Sequence, residues 1–60
     1  MTISARFIGT NSLGYIHGEK YELNVSDDYA VWIKRADGSG LCVYSSLKTF
    51  LQNWAEIKNI

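Results

Sequence analysis

The C-terminal stretch from Ser45 to Ile57 carries the clearest helical pattern in the chain. Its large apolar residues lie at positions i, i+3, i+4, i+7 and i+10, on one side of an α-helix: Leu47, Phe50, Leu51, Trp54 and Ile57. Ser45 or Ser46 precedes this stripe, where a hydroxyl can accept a hydrogen bond from a free N–H of the first turn. An apolar stripe must be buried against another layer of structure. The pattern therefore predicts a helix over 45–57 that covers the core.

The residues before this helix predict strands joined by short links. Segments 2–8, 19–25 and 29–36 show the period of two that is typical of strands, and 41–44 is typical of a returning strand. A loop over 9–14 precedes a further short strand at Tyr15 and Ile16. The links over 26–28 and 37–40 are rich in Asp, Ser and Gly, as turns are. Such short links favour antiparallel pairing, because parallel strands need long crossovers.

The predicted fold class is therefore α+β. We expect a small, twisted antiparallel β-meander of four or five strands, with one C-terminal helix packed on it. An SH3-like partial barrel and an open sheet are both compatible with this order of elements. Residues 1–60 are expected to form one domain, because a chain of 60 residues has room for only one core.

The length also limits how the fold can be stabilised. A domain of this size buries only about 60% of its unfolded surface and is marginally stable. The single cysteine, Cys42, cannot form an internal disulfide. Cys42 and the single histidine, His17, cannot complete a structural zinc site, which needs about four ligands. A dense core, a dimer, or both remain as means of stabilisation, and the 47% apolar and 13% aromatic content favours the dense core.

Charge and hydropathy argue against two classes of partner. Six basic and six acidic residues give no net charge, whereas nucleic-acid-binding domains usually carry a basic excess. No apolar run approaches the roughly 20 residues that span a bilayer. The N-terminal sequence lacks the pattern of a signal peptide, and one unpaired cysteine suits a reducing compartment. We expect a cytoplasmic protein without membrane contact.

The sequence contains no convincing catalytic motif, and we expect that the chain is not an enzyme. His17 is expected to be a surface histidine, and Cys42 a half-buried thiol within a strand. Ser45 and Lys48 match the S-x-x-K spacing of serine acyl-enzymes, but that motif operates on a much larger scaffold. The glycines form no phosphate-binding loop, and the aspartates do not have the spacing of a calcium loop. The sequence predicts neither a cofactor nor a metal.

Trp32 is the leading candidate for a binding residue. In the strand over 29–36, alternation places Ala30, Trp32 and Lys34 on one side and Val31, Ile33 and Arg35 on the other. An exposed aromatic ring close to basic side chains is typical of a binding hot spot. The candidate binding residues are Trp32, Lys34, Arg35, Tyr29 and Tyr15. In the alternative interpretation, Trp32 belongs to a second core layer or lies under the helix.

Three groups of residues resemble a known group of proteins. They are the segment from Gly18 to Leu23, the strand Val31-Trp32-Ile33, and the run from Cys42 to Leu47 followed by Phe50-Leu51 and Asn53-Trp54. Across most of its length, the chain is similar to very small, mostly uncharacterised proteins from phages and prophages of Gram-positive bacteria. Those proteins often have proline before Tyr-Ser-Ser, where this chain has Val43. The resemblance implies phage origin, action in the host cytoplasm, and binding to a host or phage macromolecule.

Two functional hypotheses follow from these observations. The first is a non-enzymatic protein-binding module that inhibits a bacterial anti-phage defence or another host protein. The second is an SH3-like nucleic-acid-binding module, in which Trp32 and Tyr29 stack on bases while Lys34 and Arg35 neutralise phosphates. The neutral net charge disfavours the second hypothesis.

The sequence also predicts a homodimer. An open meander leaves two edge strands, and this chain has no proline to protect them. We expect the contact at Trp32 or at the N-terminal strand. If the sheet instead closes into a barrel, no edge is free and a monomer is expected.

Overall fold

Five strands and one short helix make up the computed structural model, which describes residues 1–60. The elements are β1 (Thr2–Phe7), β2 (Lys20–Asp28), β3 (Ala30–Arg35), β4 (Cys42–Tyr44), α1 (Leu47–Asn53) and β5 (Trp54–Asn59). All strand pairs are antiparallel, and the sheet order is β4-β3-β2-β1-β5. The predicted small α+β fold with an antiparallel sheet is confirmed. The sheet is not closed, so β4 and β5 are its edges.

The predicted helix over 45–57 is correct only for residues 47–53. Helix α1 ends at Asn53, and the next residues form β5, which pairs with β1. Strand β1 would otherwise present unpaired backbone groups along one side, so pairing with β5 outweighs the helical periodicity of the segment. Trp54 is buried at the start of the strand, whereas Ile57 is exposed and does not belong to a helical stripe.

Helix α1 therefore covers less of the core than its sequence suggests. Leu47 and Leu51 are 55% and 49% exposed, and Phe50 is the only buried residue of the helix. The expected N-cap is Ser46, whose Oγ accepts a hydrogen bond of 3.2 Å from the backbone N–H of Thr49. The helix is seven residues long, and no helix of this structure meets the length and hydropathy needed to cross a membrane.

Two connections differ from the prediction. Tyr15 and Ile16 do not form a strand, because Tyr15 takes part only in an isolated bridge with Ser12. Strand β2 continues through residues 26–28, which were predicted as a link, so Asp28 pairs with Ala30 and the reversal occurs at Tyr29. The predicted turn over 37–40 is confirmed between β3 and β4, where Gly38 and Gly40 have φ values of 90° and 70°.

The core lies on the inner face of the sheet, under α1 and the loop over 8–19. Its nine buried residues are apolar or aromatic: Ile3, Ala5, Phe7, Tyr15, Leu23, Val31, Ile33, Phe50 and Trp54. The Trp54 ring lies at the centre, with centroids 4.9 Å from Phe7 and 5.2 Å from Tyr15. Its indole N–H donates a hydrogen bond of 3.0 Å to the hydroxyl of Tyr44. These contacts join β1, β4, β5 and the long loop.

The pairing of β1 with β5 contains an irregularity that marks this edge of the sheet. The register shifts between Ser4 and Arg6, so β5 has one extra residue, and Glu56 lies there at a φ of 52°. The Glu56 carboxylate forms an ion pair with Arg6 at 2.5 Å and another with Lys20 at 3.7 Å. Since β1 is enclosed between β2 and β5, the N-terminal strand is not the free edge that the sequence predicted for pairing with a second copy.

Candidate functional site

The outer face of the sheet, opposite the core, carries a cleft over β2 and β3. Ser26 pairs with Trp32 and Asn24 pairs with Lys34, so these side chains project from the same side of the two strands. The cleft has a volume of about 310 Å³ and is the only one on the protein. We name this surface the Trp32 face, and its residues are Asn24, Ser26, Asp28, Trp32, Ile33, Lys34 and Leu41.

Trp32 forms the apolar centre of this face. Its side chain is 42% exposed, whereas its neighbours Val31 and Ile33 are buried, as the alternation of the strand requires. The alternative in which Trp32 lies under the helix is therefore wrong. The indole N–H donates to the backbone carbonyl of Asp28 at 3.3 Å. This hydrogen bond leaves the ring accessible and fixes its orientation.

The charged groups of the Trp32 face lie at its two ends. Asp28 pairs across the strands with Ala30, and Lys34 lies two residues beyond Trp32 on the other side. At roughly 3.3 Å per residue, the four positions from 30 to 34 separate these ends by about 13 Å. Neither Asp28 nor Lys34 takes part in an ion pair, since the only pairs are those of Glu56 with Arg6 and Lys20. Both charges are therefore available to a partner.

Arg35 and Tyr15, two of the predicted binding residues, lie on the inner side of the sheet, where Tyr15 belongs to the core and Arg35 is half-buried at its margin. The Arg35 guanidinium donates to the carbonyl of Leu13 at 3.1 and 2.8 Å and lies 4.4 Å from the centroid of the Tyr15 ring. Tyr15 is buried, and its hydroxyl donates to the carbonyl of Gly40 at 2.7 Å. Burial raises the pKa of Tyr15, although Arg35 acts in the opposite direction. The prediction of Tyr15 as a surface residue is therefore wrong, and Arg35 lies on the side of the sheet opposite Trp32.

The inner position of Arg35 agrees with the predicted alternation of β3. Arg35 lies at an odd position, on the same side of the strand as the buried Val31 and Ile33. Its side chain therefore points to the inner face, where the loop over 8–19 supplies a carbonyl for the charge. Gly14 has a φ of 82°, and a Cβ there would also collide with the Arg35 guanidinium, so glycine suits the point where the loop passes this side chain.

Tyr29 lies at the end of the Trp32 face, next to Asp28. It is the single residue at the tip of the β2–β3 hairpin, with a φ of 63° and a fully exposed side chain. A bulky residue in the left-handed region costs about 1–2 kcal/mol, and here no burial of the ring offsets it. Backbone strain of this kind is concentrated at functional sites.

Of the five predicted binding residues, the structure thus places Trp32 and Lys34 on one surface and Tyr29 at its end. Sequence reasoning missed Asn24, Ser26, Asp28 and Leu41. The alternation of β2 already placed Asn24 opposite its apolar residues. The extension of β2 to Asp28 could not be found, because Ser and Asp are typical of turns.

Two residues with reactive side chains lie elsewhere. His17 is held in the loop, where its backbone N–H donates to Asn11 Oδ1 at 2.7 Å and its Nδ1 lies 3.1 Å from the carbonyl oxygen of Gly9. Cys42 is half-buried in β4 and packs against the core. No group of three or more His, Cys, Asp or Glu side chains is arranged to hold a metal ion.

Comparison with known proteins adds no relative. No protein-family model matches this chain, and no curated protein or solved structure is significantly similar to it.

Proposed function

We propose that this chain is a non-enzymatic protein-binding module and that the Trp32 face contacts its target. The observation that carries the proposal is the half-exposed Trp32 ring in the only cleft of the protein. Tryptophan is enriched at the centres of interfaces, because it buries a large apolar area with few rotatable bonds. The hydrogen bond to Asp28 holds the ring in one orientation, so that little side-chain freedom is lost on binding.

The surroundings of Trp32 fit the anatomy of a protein interface. Leu41 and the cross-strand neighbour Val43 are both exposed and extend the apolar centre towards β4. Asn24, Ser26 and the two charged ends supply a polar rim. An apolar centre with a polar, hydrogen-bonding rim is the usual arrangement at protein–protein contacts.

The identity of the target is the second part of the proposal. We propose a host or phage protein, bound in the host cytoplasm, with inhibition of an anti-phage defence or another host protein as the outcome. The resemblance to small phage and prophage proteins supports this part. An SH3-like curvature of the sheet is also proposed, because α1 joins the edge strands β4 and β5 and contacts both.

Nucleic-acid binding is less well supported by the same surface. Two basic residues were predicted to neutralise phosphates. One of them, Arg35, lies on the inner face and already donates its hydrogen bonds to the carbonyl of Leu13. Lys34 is then the only basic residue of the Trp32 face, and Asp28 lies at its other end. A surface that follows a phosphate backbone needs several cations in a row.

Capture from bacterial host lysate tests the proposal. The immobilised wild-type chain is compared with Trp32→Ala and with Leu51→Ala, which removes an exposed apolar side chain from α1. Proteins retained by the wild type and by Leu51→Ala but lost with Trp32→Ala support the Trp32 face. Equal retention by all three chains contradicts it. Filter binding of nucleic acid at two salt concentrations tests the alternative, which requires affinity that falls steeply with salt.

A further inference from the structure

The charges of the Trp32 face are arranged so that the face is complementary to itself. Asp28 lies at one end, Lys34 at the other, and Trp32 between them. If a second copy is turned by 180° about an axis that crosses β3 at Trp32, its strands run in the opposite direction. Each Asp28 then lies over the end of the other copy where Asn24 pairs with Lys34, within reach of the Lys34 side chain, and the two Trp32 rings meet at the axis. If the strands of the two copies instead ran in the same direction, like charges would lie together at both ends.

We propose that the Trp32 face binds a second copy of this chain through this two-fold contact. The inference rests on the proposed function in one respect, because the surface that binds the target is then covered in the dimer. Self-association therefore regulates target binding: the face becomes available when the dimer dissociates. The charge order of the face is what favours a second copy as the occupant.

Further properties of the chain support this pairing. Trp32, Leu41 and Val43 are exposed apolar side chains on or next to this face, and a second copy would remove them from water. The chain has no net charge, so two copies do not repel each other at long range. It also lacks a disulfide, so burial of further apolar surface in a dimer would stabilise a domain of this size.

The other surfaces that could pair two sheets are less suitable. Strand β1 is internal, and the β5 edge carries the extra residue at Glu56 together with exposed charges. Extra residues and charges of this kind protect edges against pairing. The β4 edge is free, but β4 has only three residues and offers little area. Changes of charge at positions 28 and 34 would also have no effect on pairing through β4, so charge reversal distinguishes the two contacts.

The expected dimer is weak, because the face is small. Interfaces that bury less than about 1,200 Å² are typical of transient complexes. Sedimentation equilibrium of the purified chain over roughly a hundredfold concentration range should therefore show a mass that rises from 6.8 kDa towards twice that value. A mass of 6.8 kDa at every concentration overturns the inference. Since no target is present, this result is independent of whether the proposed function is correct.

Charge reversal tests the geometry. Lys34→Glu alone and Asp28→Lys alone each place like charges together at both ends, and each should weaken the dimer at least about tenfold. The combined variant Asp28→Lys/Lys34→Glu restores opposite charges and should dimerise within about threefold of wild type. Lys48→Glu and Glu19→Lys make the same changes in net charge outside the face and are the matched controls. Dimerisation of both single variants at the level of these controls contradicts the two-fold contact.

Trp32→Ala tests the centre of the contact. Truncation of a tryptophan at the middle of an interface weakens binding by about 30-fold or more. Circular dichroism and melting of each variant show whether it remains folded. If Trp32→Ala does not fold, the charge-reversal series, which leaves the ring intact, still decides the question. Folded Trp32→Ala that dimerises as strongly as wild type overturns the assignment of the face.

Discussion

The two tryptophans of this chain lie in regions that use an aromatic ring in opposite ways. Trp54 is 1% exposed and has four aromatic neighbours, Phe7, Tyr15, Tyr21 and Phe50. Trp32 is 42% exposed, and the acceptor of its N–H is a carbonyl four residues earlier in the same hairpin. Distant segments thus meet around Trp54, whereas the orientation of Trp32 is fixed locally. The first arrangement stabilises a fold, and the second leaves a ring available for binding.

Lys34 and Arg35 show the same contrast between adjacent residues. Lys34 projects from the outer face without an ion pair, whereas Arg35 projects inwards and connects the loop over 8–19 to the hairpin of β3 and β4. The charge type does not separate these roles. The side of the strand does, because alternation assigns one residue to solvent and the next to the interior.

The largest expected effect comes from truncation of the buried ring. Trp54→Ala should lower the free energy of unfolding by on the order of 3–5 kcal/mol, through lost transfer free energy and the cavity that remains. A domain of this size typically has roughly 5 kcal/mol in total, so the variant should be largely unfolded at room temperature. Phe50→Ala, which removes the only buried residue of α1, should have a similar effect. Thermal and urea unfolding followed by circular dichroism measure both.

The matched controls for this prediction are Trp32→Ala and Gln52→Ala. Since Trp32 is half-exposed on the outer face, its truncation should cost no more than about 1 kcal/mol in the monomer. Gln52→Ala, on the exposed side of α1, should lie within about 0.5 kcal/mol of wild type. If Trp32→Ala were as destabilising as Trp54→Ala, the assignment of Trp54 to stability and of Trp32 to binding would be wrong.

An intermediate effect is expected at Arg35. Arg35→Ala removes two hydrogen bonds to the carbonyl of Leu13 and the contact with the Tyr15 ring. Hydrogen bonds that involve a charged group contribute about 1.5–3 kcal/mol, so a loss of about 2 kcal/mol is expected. Lys34→Ala removes an equal charge from the other side of β3 and should leave the stability nearly unchanged. Urea unfolding of both variants compares them, and equal losses would show that Arg35 does not connect the loop to the sheet.

Much of the fold could be predicted from local pattern, since each correct element depends on nearby residues. Alternation identified the buried and exposed sides of β3, and the hydroxyl before the apolar run identified the Ser46 cap. Trp54 fitted both a helical stripe and a strand, and it is buried in either case. Trp54 begins a strand rather than continuing the helix because it pairs with Phe7 in β1. Phe7 lies 47 residues away, and no local pattern encodes this pairing.

The candidate site was predicted only in part, for a related reason. Trp32 and Lys34 could be placed because both lie on one strand. Asn24, Ser26 and Leu41 lie on other segments of the chain, and only the register of β2 with β3 brings the first two next to Trp32 and Lys34. Alternation placed Arg35 on the side of Val31 and Ile33, but its partner, the carbonyl of Leu13, lies 22 residues away in an irregular loop and could not be predicted.

A smaller effect is expected in the turn that Arg35 approaches. Gly38 has a φ of 90° and open space around its missing Cβ, so alanine there should cost about 1 kcal/mol through backbone strain alone. Gly40 has a φ of 70°, and its Cβ would also collide with the Arg35 guanidinium and lie 2.8 Å from Tyr15 Oη. Gly40→Ala should therefore be the more destabilising variant in thermal unfolding. In an Arg35→Ala background, the difference in destabilisation between Gly40→Ala and Gly38→Ala should become smaller. An unchanged difference would contradict the explanation by a collision with Arg35.

The smallest effect concerns the ion pair on the β1–β5 side, which contrasts with the unpaired charges of the Trp32 face. The hydrogen bond from Arg6 holds the pKa of Glu56 below its ordinary value of 4.5. Because the folded-state pKa is lowered, the contribution to stability is complete above the unfolded value and is lost as pH falls through the folded one. Glu56→Gln should therefore reduce stability slightly at pH 7 and less at low pH, since exposed ion pairs contribute little. Urea midpoints at both pH values measure the difference.

In an Arg6→Gln background, the pH-dependent part of the Glu56→Gln effect should become smaller, because the main cause of the lowered pKa is then absent. A difference between wild type and Glu56→Gln that does not change with pH would show that this ion pair makes no contribution, and that the β1–β5 side is stabilised by strand pairing and the Trp54 cluster alone.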